Sequence, residues 1–170
     1  KEYHREREEF LEALSRRTPL AIYSPSYYFG WKDDLKTIFK QMVYLGLVPL
    51  RHIPLVVKLL KSNRKLEKVL TLTDFPRFPV SPVLRKILRP PVYADEMFQT
   101  LKESAIVLNF HADFSPNHAS NMRLFEATGA GSCLLTDWKP NMPELFAPDT
   151  EVVTYRTTAE CLEKAEWLLN

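Results

Sequence analysis

The sequence predicts an α/β domain built on a mainly parallel sheet, and three observations carry that prediction. Short apolar runs at Leu20–Tyr23, Ile106–Leu108, Cys133–Thr136 and Val152-Val153 alternate along the chain with stretches of helical periodicity. The run at 106–108 leads through a polar loop into a helical segment, Asn121–Glu126, and a Gly129-Ala130-Gly131 stop separates that segment from the next run. Residues 104–137 therefore read as one strand-helix-strand unit. The length, 170 residues with 45% hydrophobic and 26% charged, suits one core burying about 70% of the unfolded surface, so residues 1–170 are read as a single domain.

Taken in order, Phe10, Leu11 and Leu14 make one apolar stripe on an opening helix. It stops before Thr18-Pro19 because a residue preceding proline is pushed out of the helical region. A buried strand at 20–23 is closed by Ser24-Pro25-Ser26. The aromatic cluster Tyr27, Tyr28, Phe29 and Trp31 around Gly30 reads as a loop at that strand's carboxyl end. A helix is expected from Asp34 to about Val48, capped by Asp33 or Asp34. Pro49 and Pro54 break the pattern before a basic helical stretch from Leu55 to Lys68, and Val69–Leu72 reads as a strand. Five prolines between Asp74 and Pro91 make that segment extended or irregular. A helix from Asp95 to Glu103 turns Met97, Phe98 and Leu101 inward, followed by the strand to Asn109 and a loop from His111 to Ser120. After Asp137 a proline-bounded loop leads to the Val152-Val153 strand and a final helix, Ala159–Leu169, with Leu162, Ala165, Leu168 and Leu169 inward.

Composition removes several function classes. Only 4 glycines stand against 13 prolines, and no GxGxxG or GxxxxGK occurs, which excludes glycine-rich phosphate loops of the dinucleotide and Walker types. Cys133 and Cys161 lie in apolar patterns without a CxxC partner, so neither a disulfide framework nor a zinc site is indicated. Both are expected to be reduced core residues in a cytoplasmic protein. The sequence has no signal peptide and no bilayer-length apolar run, and it opens without an initiator methionine, which reads as a piece of a longer protein.

The net charge of +2 conceals an asymmetry: residues 32–68 hold nine Lys or Arg against three Asp or Glu, a net of +6 that leaves −4 elsewhere. That split points to an anionic partner for a basic helical insertion. For residues 38–68 two readings stand. The favoured one is an ordinary helical layer whose lysine stems cover apolar surface, because two prolines interrupt it; the other is peripheral contact with the inner face of a membrane. No nucleic-acid partner is expected.

The chemistry is expected at the carboxyl edge of the sheet, where helix N-termini offer unpaired amides. Arg123 there can fork onto phosphate oxygens, and Glu126 can accept two hydroxyl hydrogens from a ribose, so the pair suggests a nucleotide carrying a sugar. The plain alternative for Arg123 and Glu126 is an i,i+3 ion pair, and the two readings are compatible. Asn121 and Ser120 are most simply helix N-caps. His111, Asp113 and His118 lack helix-paired spacing, and hydrogen bonding to substrate or loop backbone is favoured over metal ligation. Asn109 is expected to bond the backbone of the next turn. Tyr27 and Tyr28 are candidates for stacking on a base, against a favoured packing role.

At Tyr93-Ala94-Asp95-Glu96-Met97, Leu108-Asn109, Arg123-Leu124-Phe125-Glu126-Ala127 and Gly131-Ser132-Cys133-Leu134-Leu135-Thr136-Asp137, the chain resembles the carboxyl-terminal half of a two-domain GT-B glycosyltransferase. The likeness is to the group 1 type that includes spore-maturation-like proteins; it covers residues 91–170 well and leaves 27–90 unexplained. It implies a Rossmann-like three-layer donor domain that binds a nucleoside diphosphate sugar of UDP or GDP type, without protein-bound metal or other cofactor. An N-terminal partner domain of the same protein would hold the acceptor, and the isolated piece would bind without turning over.

By the same resemblance Glu126 contacts the ribose, Arg123 stands near the diphosphate, and His118 stands where relatives carry a second carboxylate. Lys139, as a further positive group near the diphosphate, and Asn121, Ser120 and His118 complete the expected donor-binding set. Ala94 replaces a glycine frequent in the family. Two rivals remain: a non-catalytic nucleotide-binding module, and a flavodoxin-like scaffold for protein contact.

Overall fold

Three apolar segments pair side by side as parallel strands: β3 (Val107–Asn109), β4 (Leu134–Asp137) and β5 (Val153–Tyr155). Val107 stands opposite Leu134 and Asn109 opposite Thr136, while Leu135 faces Val153 and Asp137 faces Tyr155. This is a computed structural model that describes residues 2–47, 49–54, 57–58, 74–111 and 117–170. The chain divides into two compact units, residues 1–25 with 83–170, and residues 26–82.

In the first unit the sheet carries helices on both faces, because side chains alternate along each strand. Val107, Leu134 and Val152 turn to one core, with Leu101 of α4 (Ala94–Glu103) and Leu124 and Ala127 of α5 (Met122–Gly129). Leu135 and Tyr155 turn to the other, with Phe10 and Leu14 of α1 (Glu2–Arg17) and Cys161, Leu162 and Ala165 of α7 (Thr158–Leu169). The result is three layers. The short α6 (Met142–Leu145), which follows β4 and precedes β5 in the chain, adds its fully buried Met142 to the first core. Helices α1 and α7 are also forked together by Arg17, whose Nε and Nη2 donate to the two Glu166 carboxylate oxygens at 2.7 and 2.6 Å.

Several expectations are corrected in detail. The strand at 20–23 is shorter, β1 (Ile22–Tyr23), and Tyr23 is exposed. The proline-rich segment is not wholly irregular: α3 (Pro82–Arg85) and β2 (Leu88–Arg89) form there, and β2 pairs in parallel with β1. The prolines bracket these four- and two-residue elements and interrupt none of their pairing amides. Phe98 and Leu169 point outward, not inward. Cys161 is fully buried and its thiol is pushed up to about 12 by desolvation; Cys133 is half-buried, and both are free.

In the second unit, α2 (Trp31–Leu47) starts three residues earlier than expected. Asp33 is not its cap but its first turn: the Asp33 carboxylate accepts from the Gly30 amide at 3.3 Å, and the Asp33 amide donates to the Gly30 carbonyl. One face of α2 packs on residues 75–76. Thr37 is buried, Gln41 donates to the Pro76 carbonyl at 2.9 Å, and Tyr44 meets Phe75 edge to face. The expected helix at 55–68, apart from residues 57–58, and the expected strand at 69–72 lie outside the described residues.

Helix α5 ends in a Schellman motif, with Gly131 N–H on the Thr128 carbonyl, Ser132 N–H on the Ala127 carbonyl, and Gly131 at φ +75°. Ala94, opening α4, also sits in the left-handed region at φ +47°, where a Cβ is penalised. The two positions predict opposite outcomes in urea unfolding. Ala94→Gly should stabilise by about 0.5–1 kcal/mol, and Gly131→Ala should destabilise by roughly 1–2 kcal/mol although a Cβ there meets nothing within 4 Å. Changes of the same sign at both positions would contradict this account.

Candidate functional site at the sheet's carboxyl rim

Strands β3, β4 and β5 end on polar residues, and these join into one network. The Asn109 Nδ2 donates to Thr136 Oγ1 at 2.9 Å, and Asn109 Oδ1 accepts from Asn121 Nδ2 at 2.8 Å. Asn121 Oδ1 in turn accepts the Leu124 amide at 3.3 Å, which makes Asn121, not Ser120, the N-cap of α5. The Tyr155 hydroxyl donates to the Asn109 carbonyl at 3.0 Å. Asn109 thus bonds side chains of the neighbouring strand and helix where a backbone role was expected.

Beside this network His111 is sealed in, its side chain only 2% exposed. Its Nδ1 lies 2.6 Å from Asp137 Oδ1, and its amide donates to the same oxygen at 2.9 Å. Lys139 Nζ sits 3.3 Å from Asp137 Oδ2. Burial works to raise the Asp137 pKa. The ring and amide bonds from His111, with the charges of His111 and Lys139, outweigh it and hold the carboxyl below its ordinary value. His111 Nε2 is buried and has no hydrogen-bond partner among the described residues. Asn141 holds the chain ahead of α5, accepting the Ala119 amide at 2.7 Å and donating to the Ala119 carbonyl at 3.2 Å.

Arg123 and Glu126 stand on the first turns of α5 and pair with each other, Nη1 to Oε2 at 3.2 Å. Their side chains are 37% and 19% exposed, so the acid is screened but not shut in the core. Asn121 and Arg123 line a cavity of about 650 Å³ that reaches past Asn109 to Phe10, Leu20 and Tyr23; Glu126, His118 and Lys139 do not line it. The volume suits a small molecule, though much of the wall is core-type apolar surface. His118 and Ser120 are exposed just ahead of the cap. Phe125 is half exposed and tilts against Phe146 at 5.8 Å.

Tyr27 and Tyr28 belong to the second unit, where their exposed rings meet edge to face at 5.5 Å. Asp113, of the H-x-D-x4-H set, lies outside the described residues. Among the described residues no group of three His, Cys, Asp or Glu side chains converges as a metal site would.

A family model described as glycosyl transferase-like matches residues 5–170. The chain belongs to that family. No curated protein and no solved structure matches it significantly. The parallel α/β architecture fits a Rossmann-like glycosyltransferase domain, and the family supports a role in glycosyl transfer. No helix among the described residues is long and apolar enough to cross a membrane.

Asp137, Thr136, Asn141 and Tyr155 were not singled out from the sequence. The available signal was position: Thr136-Asp137 closes an otherwise apolar strand, and a polar pair at the carboxyl end of a parallel strand faces the ligand edge.

Asp137→Asn should cost about 2–3 kcal/mol near neutral pH, because His111 loses a charged partner while remaining buried. The folded carboxyl is depressed, so its contribution is complete above the unfolded value of about 3.9 and is lost as pH falls through the folded value. Urea titrations of both proteins at neutral and acid pH should therefore show the gap closing in acid. A gap that widens in acid would contradict the assignment.

Proposed function

We propose that the unit formed by residues 1–25 and 83–170 is the donor-binding half of a two-domain GT-B glycosyltransferase of the group 1, spore-maturation-like type. The substrate is a nucleoside diphosphate sugar of UDP or GDP type, and the acceptor sits on an N-terminal domain of the same protein. One observation carries this reading. In a chain of a glycosyl transferase-like family, an Asn121-capped helix opens at the carboxyl rim with a guanidinium and a carboxylate on its first turns.

In the proposed complex Glu126 turns from Arg123 to the two ribose hydroxyls, and Arg123 takes the diphosphate through its planar fork. The amides of Met122 and Arg123, at the open first turn, add the positive end of the helix dipole. Asp137 holds His111 through Nδ1 behind the rim, and Lys139 adds charge at the same rim. His118 and Ser120 border the sugar.

The bond from the anomeric carbon to the diphosphate oxygen breaks with its electron pair going to the diphosphate, and the acceptor oxygen forms the new bond. Its proton passes to a base on the partner domain. The positive groups act by stabilising charge that grows on the leaving diphosphate, and no divalent metal is required for that. A second reading, a module that binds nucleotide without turnover, is favoured only by His118 in the place of a second carboxylate.

Titration calorimetry of the full-length protein with UDP, GDP and their sugars tests the site. Glu126→Ala should weaken binding by about tenfold or more and Arg123→Ala by a similar factor, each corresponding to at least about 1.4 kcal/mol. Unchanged affinity in Glu126→Ala would remove the donor-site assignment. Following donor hydrolysis in the same samples separates the readings, since binding with no turnover favours the second.

A further inference from the structure

Helix α2 carries a surface that donor binding leaves unused. Trp31, Leu35, Ile38, Phe39, Met42 and Leu45 recur at helical spacing, so on a helix of 3.6 residues per turn they fill a single arc of about 120°. All six are exposed, Trp31 by 67% and Phe39 and Leu45 by 65% each. The opposite face is the one that packs, through Thr37, Gln41 and Tyr44. A helix of a water-soluble layer buries its apolar arc; α2 leaves its apolar arc exposed.

Charge says what covers the arc. Lys32 and Lys36 flank one border of the arc, and Lys40 continues the row round toward the opposite side; all three are exposed, with Lys36 held to Asp33 at 3.0 Å. Asp34 stands toward the other border. Residues 32–68 together carry +6. The unit of residues 26–82 holds ten Lys or Arg against four Asp or Glu, a net of +6, so a second copy would bring like charge to like, whereas a layer of anionic headgroups is complementary. Leu50 and Ile53, just past the helix, are exposed as well. At 17 residues the helix spans about 25 Å, long enough to lie flat in a headgroup layer.

We propose that α2 lies in the plane of an anionic lipid surface, its six apolar side chains among the acyl chains and its lysine row at headgroup level. This goes beyond the donor-binding reading and can fail without it.

The experiment is sedimentation of the full-length protein with vesicles of phosphatidylcholine alone and of phosphatidylcholine with phosphatidylglycerol. Binding should favour the anionic vesicles and weaken as salt rises. The double variant Phe39→Ser/Met42→Ser should lower partitioning by about tenfold or more, with circular dichroism and nucleotide affinity unchanged, because both side chains are exposed in the free protein. The triple variant Lys32→Glu/Lys36→Glu/Lys40→Glu should lose the preference for anionic vesicles. Equal binding to both vesicle types by the unmodified protein, or double-variant partitioning equal to it, overturns the proposal. So does a dimer in light scattering that Phe39→Ser dissociates while no vesicle binding is seen, which would assign the face to a second copy.

Discussion

The position of the candidate site depends on Asn109, whose amide is bonded at both ends at the rim of the parallel sheet. Thr136 Oγ1 takes its donor, Asn121 supplies its acceptor contact, and Asn121 passes the linkage on to the Leu124 amide. Strand β4, strand β3 and helix α5 are therefore connected through three consecutive side-chain bonds, and Tyr155 adds β5 through the Asn109 carbonyl. Asn109 and Thr136 are buried, so breaking one link leaves polar groups without water, at about 1–3 kcal/mol each. The apolar cores set how the layers pack. The rim network sets where the first turn of α5 opens.

That frame contrasts with the pair it presents. Arg123 and Glu126 meet on the helix surface with part of each side chain in water, and such pairs contribute roughly 0–1 kcal/mol. Their separation costs little, so either group is free to turn to a ligand. Asp137 is the opposite case: three donors from His111 and Lys139 converge on a largely buried carboxylate, and moving any one of them exposes the others to an unpaired charge. A rigid acid fixes the rim while a loosely held acid stays available.

The sequence read well where one periodicity dominated. The alternation around Leu134 and Leu135 serves two cores at once, which is why it appeared as a continuous apolar run and marked a doubly covered parallel strand. The Asn121 cap and the Gly131 stop were legible because each has a local cause in backbone chemistry. Strand β2 was not, since two residues between prolines carry no periodicity and pair only because β1 is beside them. The His111–Asp137 pair was hidden for a similar reason. Its partners are 26 residues apart, and what joins them is the register of β3 against β4. Phe98 was misjudged because helical spacing set it beside the inward Leu101, whereas the residue is 46% exposed.

Helix α2 shows the limit of periodicity in another way. The spacing of Leu35, Ile38, Met42 and Leu45 is the same whether a helix faces a protein core or a lipid surface, so pattern alone favoured an ordinary layer. What differs is which face finds partners within the fold. Gln41 and Tyr44, on the other side, are the residues held by Pro76 and Phe75. Among the described residues α2 is engaged on the side away from its apolar arc, which leaves the arc open to a lipid surface, and the basic charge of the unit selects for negative charge there. The basic asymmetry of the composition and the exposed apolar arc of α2 are thus two expressions of one arrangement.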